Sequence, residues 1–433
     1  MAVTEMDQAI PAANSAIDSR GRLIAADGTP LKQKLGQALF RSKMRALGLV
    51  APLLLFILCV FIIPILMFMS RGFHEGTYAE HMPLSTPLLQ EWNGASEPTE
   101  EMFAAMAADL AAARAHPEKP IGKVATRVNR ELSGTRSLIT STARRAARME
   151  APFKDAMIEA KAKWGDLETW QAMKVAATSY TPAFYAAALD YKYTATGEFV
   201  PQDELRQIYV KLFLRTMEIS VIVTIAALIL GYPVAYLLST IPNRIANLLL
   251  ILVLLPFWTS ILVRTTAWIA MLQSQGVLND LAVFVGLTGD DGRFSLIYNK
   301  TGTLIAMTHI LLPFMILPLY SVMKTIPPSY VRAAKSLGAT NWTAFWRVYF
   351  PQTIPGIGAG GLLVFILAIG YYITPALVGG QDGVMISNFI DNHMRSTLNW
   401  SLAAALGGVL LIFVLFLYWI YDKVVGIDNM KLG

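Results

Sequence analysis

The chain has 433 residues, of which 55% are apolar and only 15% are charged, with a mean hydropathy of +0.47. This composition indicates a membrane protein. The single cysteine, Cys59, lies in an apolar run, which excludes a disulfide framework and a cysteine-based metal site. The formal charge of +6 comes from basic residues that are scattered or flank apolar segments, so it favours contact with anionic lipid over nucleic acid.

Six stretches are long and apolar enough to cross a bilayer. They lie at residues 47–69, 212–238, 245–272, 303–323, 355–378 and 402–424. The first follows a polar tail, is too long for a signal-peptide core and lacks a small-residue cleavage site, so we expect a signal-anchor. The predicted fold class is an all-α integral membrane protein with six transmembrane helices and an α-helical extracytoplasmic insertion.

Basic residues decide the predicted orientation. Arg41, Lys43 and Arg45 end the N-terminal tail, and the positive-inside rule places them in the cytoplasm. Counting crossings from there puts both termini and the segment 324–350 on the cytoplasmic side. The predicted domains are a cytoplasmic tail (1–46), the first transmembrane helix (47–69), an extracytoplasmic helical insertion (70–208) and a five-helix core (209–433) with a docking loop at 325–350.

The insertion has the pattern of a small helical domain. Thr99 is placed to cap a helix that runs to about His116, and a further helix over 123–148 is interrupted at Gly134. Asp166 is placed to cap another helix over 167–177. No catalytic cluster occurs in it. Two interpretations stay open: a passive insertion, or a surface that receives a solute-binding protein.

The segment between the fourth and fifth predicted spans predicts two short amphipathic helices. An apolar stripe ends at Leu337, Gly338 is suited to stop the first helix, and a second, aromatic stripe ends at Pro351. The segment carries Arg332, Lys335 and Arg347 but no carboxylate. It is either a pair of helices in the lipid headgroups or a docking surface for a soluble partner.

Within this segment, RAAKSLGA followed by the Pro355–Gly356 pair resembles the EAA loop of ABC importer permeases. Further strings resemble the spermidine/putrescine-type branch of that family, which also contains importers of opine-like compounds. They are GYPVAY, LPFWTSILVRTTAW, GVLN, LPFMILPLY and ITPALVGG, all after residue 210. One departure is that Arg332 stands where the family usually has Glu.

The resemblance implies a permease subunit of an ATP-driven importer in the bacterial inner membrane, for polyamines such as spermidine or putrescine or a related small organic solute. It implies cytoplasmic ATPase subunits, a second related permease subunit and an extracytoplasmic solute-binding protein as partners, besides membrane lipid. We expect no catalysis, no metal and no cofactor in this chain, since it lacks a phosphate-binding loop and ATP would bind the ATPase subunit. The residues implied for ATPase docking are Arg332, Ala333, Ala334, Leu337, Gly338, Ala339, Phe345, Pro355 and Gly356.

Ionisable and aromatic residues inside the spans are candidates for the translocation path. Glu218 is predicted to pair with Arg264 or with Arg215, because a pair offsets part of the cost of burying each charge. Aromatic rings could give a cationic amine cation–π contacts, although membrane-interface belts and core packing are commoner uses. The predicted path residues are Glu218, Trp258, Arg264, Trp268, Tyr371 and Tyr372.

Five prolines, at 233, 256, 313, 318 and 375, are predicted to interrupt membrane helices. The rival function is a stand-alone secondary transporter or channel for a small organic solute. That class predicts inverted repeats or a chain of buried carboxylates and histidines, which this sequence does not show. A membrane-anchored sensor would need only one span.

Overall fold

The computed structural model describes residues 31–423, with side chains from residue 38. Most of the predicted N-terminal tail (1–30), and the last predicted residue of the sixth span, therefore lie outside the described residues. The chain divides into two units, Met1–Phe68 and Met69–Gly433.

The first unit holds the first membrane span. The helix α1 (Leu31–Ile57) continues through a π-helical turn at Leu58–Ile62 into α2 (Ile63–Ser70). The apolar stretch Ala38–Ser70 is long enough to cross a bilayer. The helix thus begins well before residue 47, because the preceding residues continue the same helical pattern. Cys59 is exposed on this helix.

The insertion consists of short helices and one small hairpin. Its helices are α3 (Thr77–His81), α4 (Ser85–Glu91), α5 (Glu100–Ala115), α6 (Ile121–Glu131), α7 (Thr135–Ala143), α8 (Phe153–Ala160), α9 (Leu167–Ala177) and α10 (Ala183–Ala188). Short 3₁₀ turns lie at Ala146–Arg148, Ala162–Gly165 and Glu204–Arg206. The hairpin pairs β1 (Tyr191–Tyr193) with β2 (Phe199–Pro201) in antiparallel register. The insertion is thus α-helical apart from this one small hairpin, whose β-favouring aromatic residues form a ladder that helix periodicity does not reveal.

The helix caps predicted in the insertion are partly confirmed. The backbone N–H of Met102 donates to Thr99 Oγ1 at 3.4 Å, at the start of α5. Gly134, with φ +91°, separates α6 from α7. Asp166 does precede α9, but its side chain makes no capping hydrogen bond.

The insertion has a hydrophobic core of its own. Trp164 and Trp170 are fully buried, and each indole N–H is satisfied: Trp164 donates to Thr142 Oγ1 at 2.9 Å and Trp170 to the carbonyl of Trp164 at 2.8 Å. Arg127 is buried as well, paired with Glu75 at 2.8 Å and Glu131 at 2.5 Å. Pairing of this kind offsets much of the cost of burying a charge.

The membrane core follows the insertion. Its helices are α11 (Tyr209–Thr240), α12 (Asn243–Leu254), α13 (Ile261–Leu272), α14 (Val277–Phe284), α15 (Lys300–Thr325), α16 (Pro328–Ser336), α17 (Asn341–Ala344), α18 (Phe350–Ile369), α19 (Ile373–Val378), α20 (Gly380–Gly383), α21 (Ile386–Arg395) and α22 (Trp400–Tyr421). Short 3₁₀ turns lie at Leu255–Trp258 and Asp290–Gly292, and a π-helical turn lies at Phe345–Tyr349. The protein is thus an all-α integral membrane protein: five described helices are long and apolar enough to span, or six if one bent pair counts as a span.

Two of the predicted spans differ from the helices in the structure. The third, predicted over 245–272, is a pair bent by 96° between Asn243–Trp258 and Ile261–Phe284. The bend follows Pro256, which lies in the 3₁₀ turn, and proline removes a backbone donor. The fifth, predicted over 355–378, ends at Ile369, and α19 is a separate short helix.

Helices α11, α15 and α18 pack closely around one core. Small residues permit this. A Cβ added at Gly356 would lie 3.0 Å from Val322 Cβ, and one added at Gly360 would lie 3.1 Å from the carbonyl oxygen of Met315. These glycines therefore set the distance between α15 and α18.

Candidate functional site

The first candidate site is the elbow, which we define as residues 328–350. Its first helix, α16, ends in a Schellman motif: Ala339 N–H donates to Ala334 O, and Gly338 N–H donates to Lys335 O, both at 3.0 Å. Gly338 has φ +89°, a conformation that side chains with a Cβ resist. The predicted glycine stop is confirmed.

The elbow presents several predicted docking residues to the outside. Arg332, Ala333, Leu337 and Gly338 are exposed, Leu337 to 89%, while Ala334 and Ala339 are half-buried. A large apolar side chain that is this exposed to solvent is a feature of interaction surfaces.

Three other predicted docking residues lie inside the bundle. Phe345 packs between Tyr232 and Tyr236, with ring centroids 6.3 and 6.1 Å away. Pro355 and Gly356 are within α18, where Gly356 faces α15. These residues anchor the elbow to the membrane core and do not extend its exposed surface.

The sequence pattern predicted that the second helix of the elbow ends at Pro351. This prediction is wrong. The chain passes from α17 through the π-helical turn Phe345–Tyr349 directly into α18, and the whole stretch Asn341–Ile369 is long enough to span. Proline has no N–H to donate, and the π-helical turn just before Pro351 is an irregular point in the hydrogen-bond ladder where that loss is accommodated. The elbow is therefore continuous with a membrane helix.

A cavity of about 630 Å³ lies beside the elbow. Its walls come from the ends of α11 and α15 and from both parts of the elbow. Three basic side chains line it, those of Lys324, Arg332 and Lys335, together with the aromatic rings of Tyr236 and Phe345. Sequence spacing alone could not predict that the end of α11 lies beside the elbow.

The second candidate site is a polar cluster between α13, α15 and the α18–α19 break. Trp268 Nε1 donates to His309 Nδ1 at 3.1 Å. Arg264 lies near both His309 and Tyr371. Arg264 Nε is buried and has no hydrogen-bond partner among the described residues. The structure thus gathers Arg264, Trp268 and Tyr371, three of the predicted path residues.

The predicted ion pairs of Glu218 are wrong. Glu218 pairs with Lys300, at the first residue of α15. Arg215 donates to the carbonyl of Gln381 at 2.8 Å instead, and no ion pair joins Arg264 to a carboxylate in the part of the chain that the structure describes. Similar depth along two helices does not determine which faces meet, and α15 presents Lys300 to Glu218.

The remaining path candidates lie elsewhere. Trp258 is 90% exposed at the bend between α12 and α13. Tyr372 lies in the break before α19, where its hydroxyl accepts from Arg395 at 3.3 Å and its carbonyl accepts from Asn388 at 2.7 Å. Neither residue joins the Arg264 cluster.

Sequence reasoning missed some members of this region. Thr265 and Thr374 are both buried, and their hydroxyl oxygens lie 3.3 Å apart across α13 and α19. Threonine within an apolar run usually bonds its own helix, as Thr265 also does to Ile261 O at 2.8 Å. No pattern distinguishes the threonine that also faces a neighbouring helix.

These features describe a membrane core with a broken helix, a polar cluster and an exposed elbow. Residues 207–425 match the model of the family described as "Binding-protein-dependent transport system inner membrane component". The chain belongs to this family. Membership makes it an ABC importer permease, a multi-pass protein of the inner membrane, and sets aside the stand-alone transporter. The family is one of transport permeases and is not a known enzyme family.

Three relatives of this permease are informative. The spermidine/putrescine transport system permease protein PotB of Escherichia coli (strain K12) is 34% identical over 218 residues, which is 50% of this chain and 78% of PotB. PotB of Haemophilus influenzae is 34% identical over 224 residues, 52% of this chain and 78% of the relative. The inner membrane ABC transporter permease protein YdcU of Escherichia coli (strain K12) is 34% identical over 226 residues, 50% of this chain and 71% of YdcU. The family match begins at residue 207, after the insertion.

Proposed function

We propose that this permease imports polyamines such as spermidine or putrescine, or a related small organic solute, with energy from ATP hydrolysed by a separate subunit. The support for the substrate is the 34% identity to permeases named for spermidine and putrescine. The support for a separate ATPase is the absence of a phosphate-binding loop from the sequence.

The observation that carries the proposal is the exposed elbow that continues into α18. In the proposed mechanism, the elbow fits a cleft on the cytoplasmic ATPase, which places both chain termini in the cytoplasm. Closure of the ATPase pair pushes the elbow, and because α18 and α15 pack without a gap, both helices move together. That movement alternates the access of a central path.

The complex would contain a second related permease subunit and an extracytoplasmic solute-binding protein. The Arg264 cluster and the bent pair α12–α13 would line the path. The permease itself does no covalent chemistry: it transmits motion and shapes the route of the solute. Broken helices are tolerated at membrane depth where they line such a cavity.

The experiment is reconstitution in lipid vesicles with the ATPase, the second permease and the binding protein of the same transport system. We expect the loaded binding protein to stimulate ATP hydrolysis, and labelled spermidine or putrescine to enter the vesicles only with ATP. Uptake by this chain alone, without any ATPase, would overturn the importer mechanism. Stimulation by another solute and not by polyamines would overturn the substrate alone.

A further inference from the structure

The cavity beside the elbow carries positive charge without compensation. Lys324, Arg332 and Lys335 line it, and the sequence contains no Asp or Glu anywhere between Asp291 and Asp382. The walls of the cavity include the end of α11, and the residues that this helix contributes, Tyr236, Ser239 and Thr240, are also uncharged.

None of the three cations has a carboxylate partner among residues 31–423. Lys324 Nζ donates only to a backbone carbonyl, that of Ser239, at 3.4 Å. Arg332 and Lys335 are exposed. Three like charges that converge on one concavity repel each other, and a carboxylate that enters between them relieves this repulsion with charge-assisted hydrogen bonds.

We propose, resting on the ATPase docking proposed above, that this cavity receives an acidic segment of the ATPase subunit. A carboxylate of the partner enters between Lys324, Arg332 and Lys335. The exposed Leu337 and Trp342 supply the apolar contacts around it, since they are 89% and 72% exposed. The basic cavity thereby selects an ATPase whose docking cleft is acidic, and rejects one whose cleft is basic.

The geometry favours a protein over lipid headgroups. Basic residues that meet a membrane surface lie along a flat interface. Here they line a cavity of about 630 Å³ that also contains the aromatic rings of Phe345 and Tyr349. This mixture of aromatic and cationic side chains is typical of the centre of a protein interface.

The test uses the full-length permease in detergent and the ATPase of the same transport system, and measures their dissociation constant at several salt concentrations. The double variant Arg332→Glu with Lys335→Glu should bind at least about tenfold more weakly. Its salt dependence should be reversed, because like charges now face each other. Arg332→Lys keeps the charge and should bind within about threefold of the unchanged protein.

Arg244→Glu is the matched control, because Arg244 is an exposed cation at the start of α12 that lies outside the elbow and does not line the cavity. It should leave the dissociation constant within about threefold. Thermal melting of every variant confirms folding. A carboxylate-to-lysine change in the ATPase cleft should restore binding to the double variant, which a merely misfolded variant would not allow.

Each of the other outcomes overturns either this inference alone or the proposed ATPase docking as well. Equal ATPase binding by the double variant and the unchanged protein overturns the acidic segment and leaves the importer intact. No ATPase binding by the unchanged protein overturns both. If the double variant keeps its ATPase affinity and loses only the binding of phosphatidylglycerol added to the detergent micelles, the cavity belongs to lipid headgroups and the inference is wrong.

Discussion

Gly338 is required for its backbone conformation and not because space around it is short. It has φ +89°, and a Cβ built on it meets nothing within 4 Å. Any cost of a substitution there comes from the backbone alone and not from crowding. The Schellman hydrogen bonds of Gly338 and Ala339 depend on that conformation.

Gly338→Val should therefore bend the elbow without unfolding the membrane core. A left-handed conformation costs a residue with a Cβ about 1–2 kcal/mol, and most for a β-branched side chain. We expect normal membrane insertion and loss of substrate-stimulated ATP hydrolysis in the reconstituted complex. Gly338→Asn is the control, since Asn tolerates this conformation, and it should retain most of the activity. Full activity of the Val variant would contradict the role of the turn.

Arg264 is a charge inside the membrane core without an acidic partner in the described residues. Its buried Nε lacks a hydrogen-bond partner there, and it lies near His309 and Tyr371. A group held at this cost is expected to serve function.

Arg264→Ala should reduce uptake by about tenfold or more, whereas Arg264→Lys, which keeps the charge, should reduce it less. The measurement is ATP-dependent uptake of labelled solute into vesicles, with the amount of inserted protein matched. If both variants transport like the unchanged protein, Arg264 takes no part in the path.

Among the helices, the prolines show that sequence pattern alone does not decide where a membrane helix is interrupted. Pro233, Pro313 and Pro318 lie inside the continuous helices α11 and α15, while Pro256 lies at the 96° bend. Proline weakens a helix, but neighbouring helices can hold it straight. Packing therefore chooses which proline becomes a break.

His393 connects α21 with the first residue of α11 and with the loop before α22. Its ring nitrogens contact Tyr209 Oη at 2.9 Å and Thr397 Oγ1 at 3.0 Å. From the insertion, Arg130 donates to the carbonyls of Thr397 and Leu398 at 3.4 and 3.2 Å. Burial lowers the pKa of His393 below its ordinary value of 6.5, and the charge of Arg130 lowers it further.

A lowered pKa means that the neutral ring is favoured in the folded protein. The stability that His393 contributes is thus present above pH 6.5 and is lost as pH falls through its lowered pKa. We expect the melting temperature in detergent to fall more steeply than that of His393→Gln as the pH drops below 6.5. The nearby Asp391–Arg395 pair, at 2.7 Å, is present in both proteins and cancels in the comparison. Parallel pH curves would refute the assignment.

At the scale of the whole molecule, most of the insertion is a self-contained unit that leaves and returns at one point. Glu75 N–H donates to Ser179 O at 2.8 Å, and Thr181 N–H donates to Phe73 O at 2.9 Å. The chain segments that precede α3 (residues 73–75) and follow α9 (residues 179–181) are therefore hydrogen-bonded to each other. Asp190, which follows this unit, accepts from the backbone N–H groups of Ile208, Tyr209 and Val210 and fixes the start of α11.

Replacing residues 76–178 by a two-residue glycine turn should therefore leave the permease core folded and able to bind its ATPase. The excision removes the Arg130 contacts to the α21–α22 loop and the Arg127 contact over the Phe184 ring, at 5.2 Å. We expect a melting temperature lower by several degrees, consistent with the loss of about 1–3 kcal/mol of contacts. Size-exclusion chromatography and ATPase binding check this, and a variant that aggregates would show that the core needs the insertion.

The same variant decides what the insertion does. If stimulation of ATP hydrolysis by the loaded binding protein is lost while basal hydrolysis remains, the insertion receives the binding protein. If stimulation is unchanged, the insertion is passive.

The sequence by itself determined the membrane class, the approximate position of the spans, the helices of the insertion and the glycine stop of the elbow. These depend on local physics: apolar length, helix periodicity, caps and the freedom of Gly338 to take positive φ. The family resemblance after residue 210 is confirmed for the same reason, since short strings carry it.

Only the tertiary structure decided which groups meet. It paired Glu218 with Lys300, assembled Arg264 with Trp268, Tyr371 and His309, and turned Phe345 into the bundle. It also brought the end of α11 to the basic cavity of the elbow. Such contacts depend on the rotation and crossing of helices that are far apart in sequence, and periodicity within one helix holds no information about its neighbour's face.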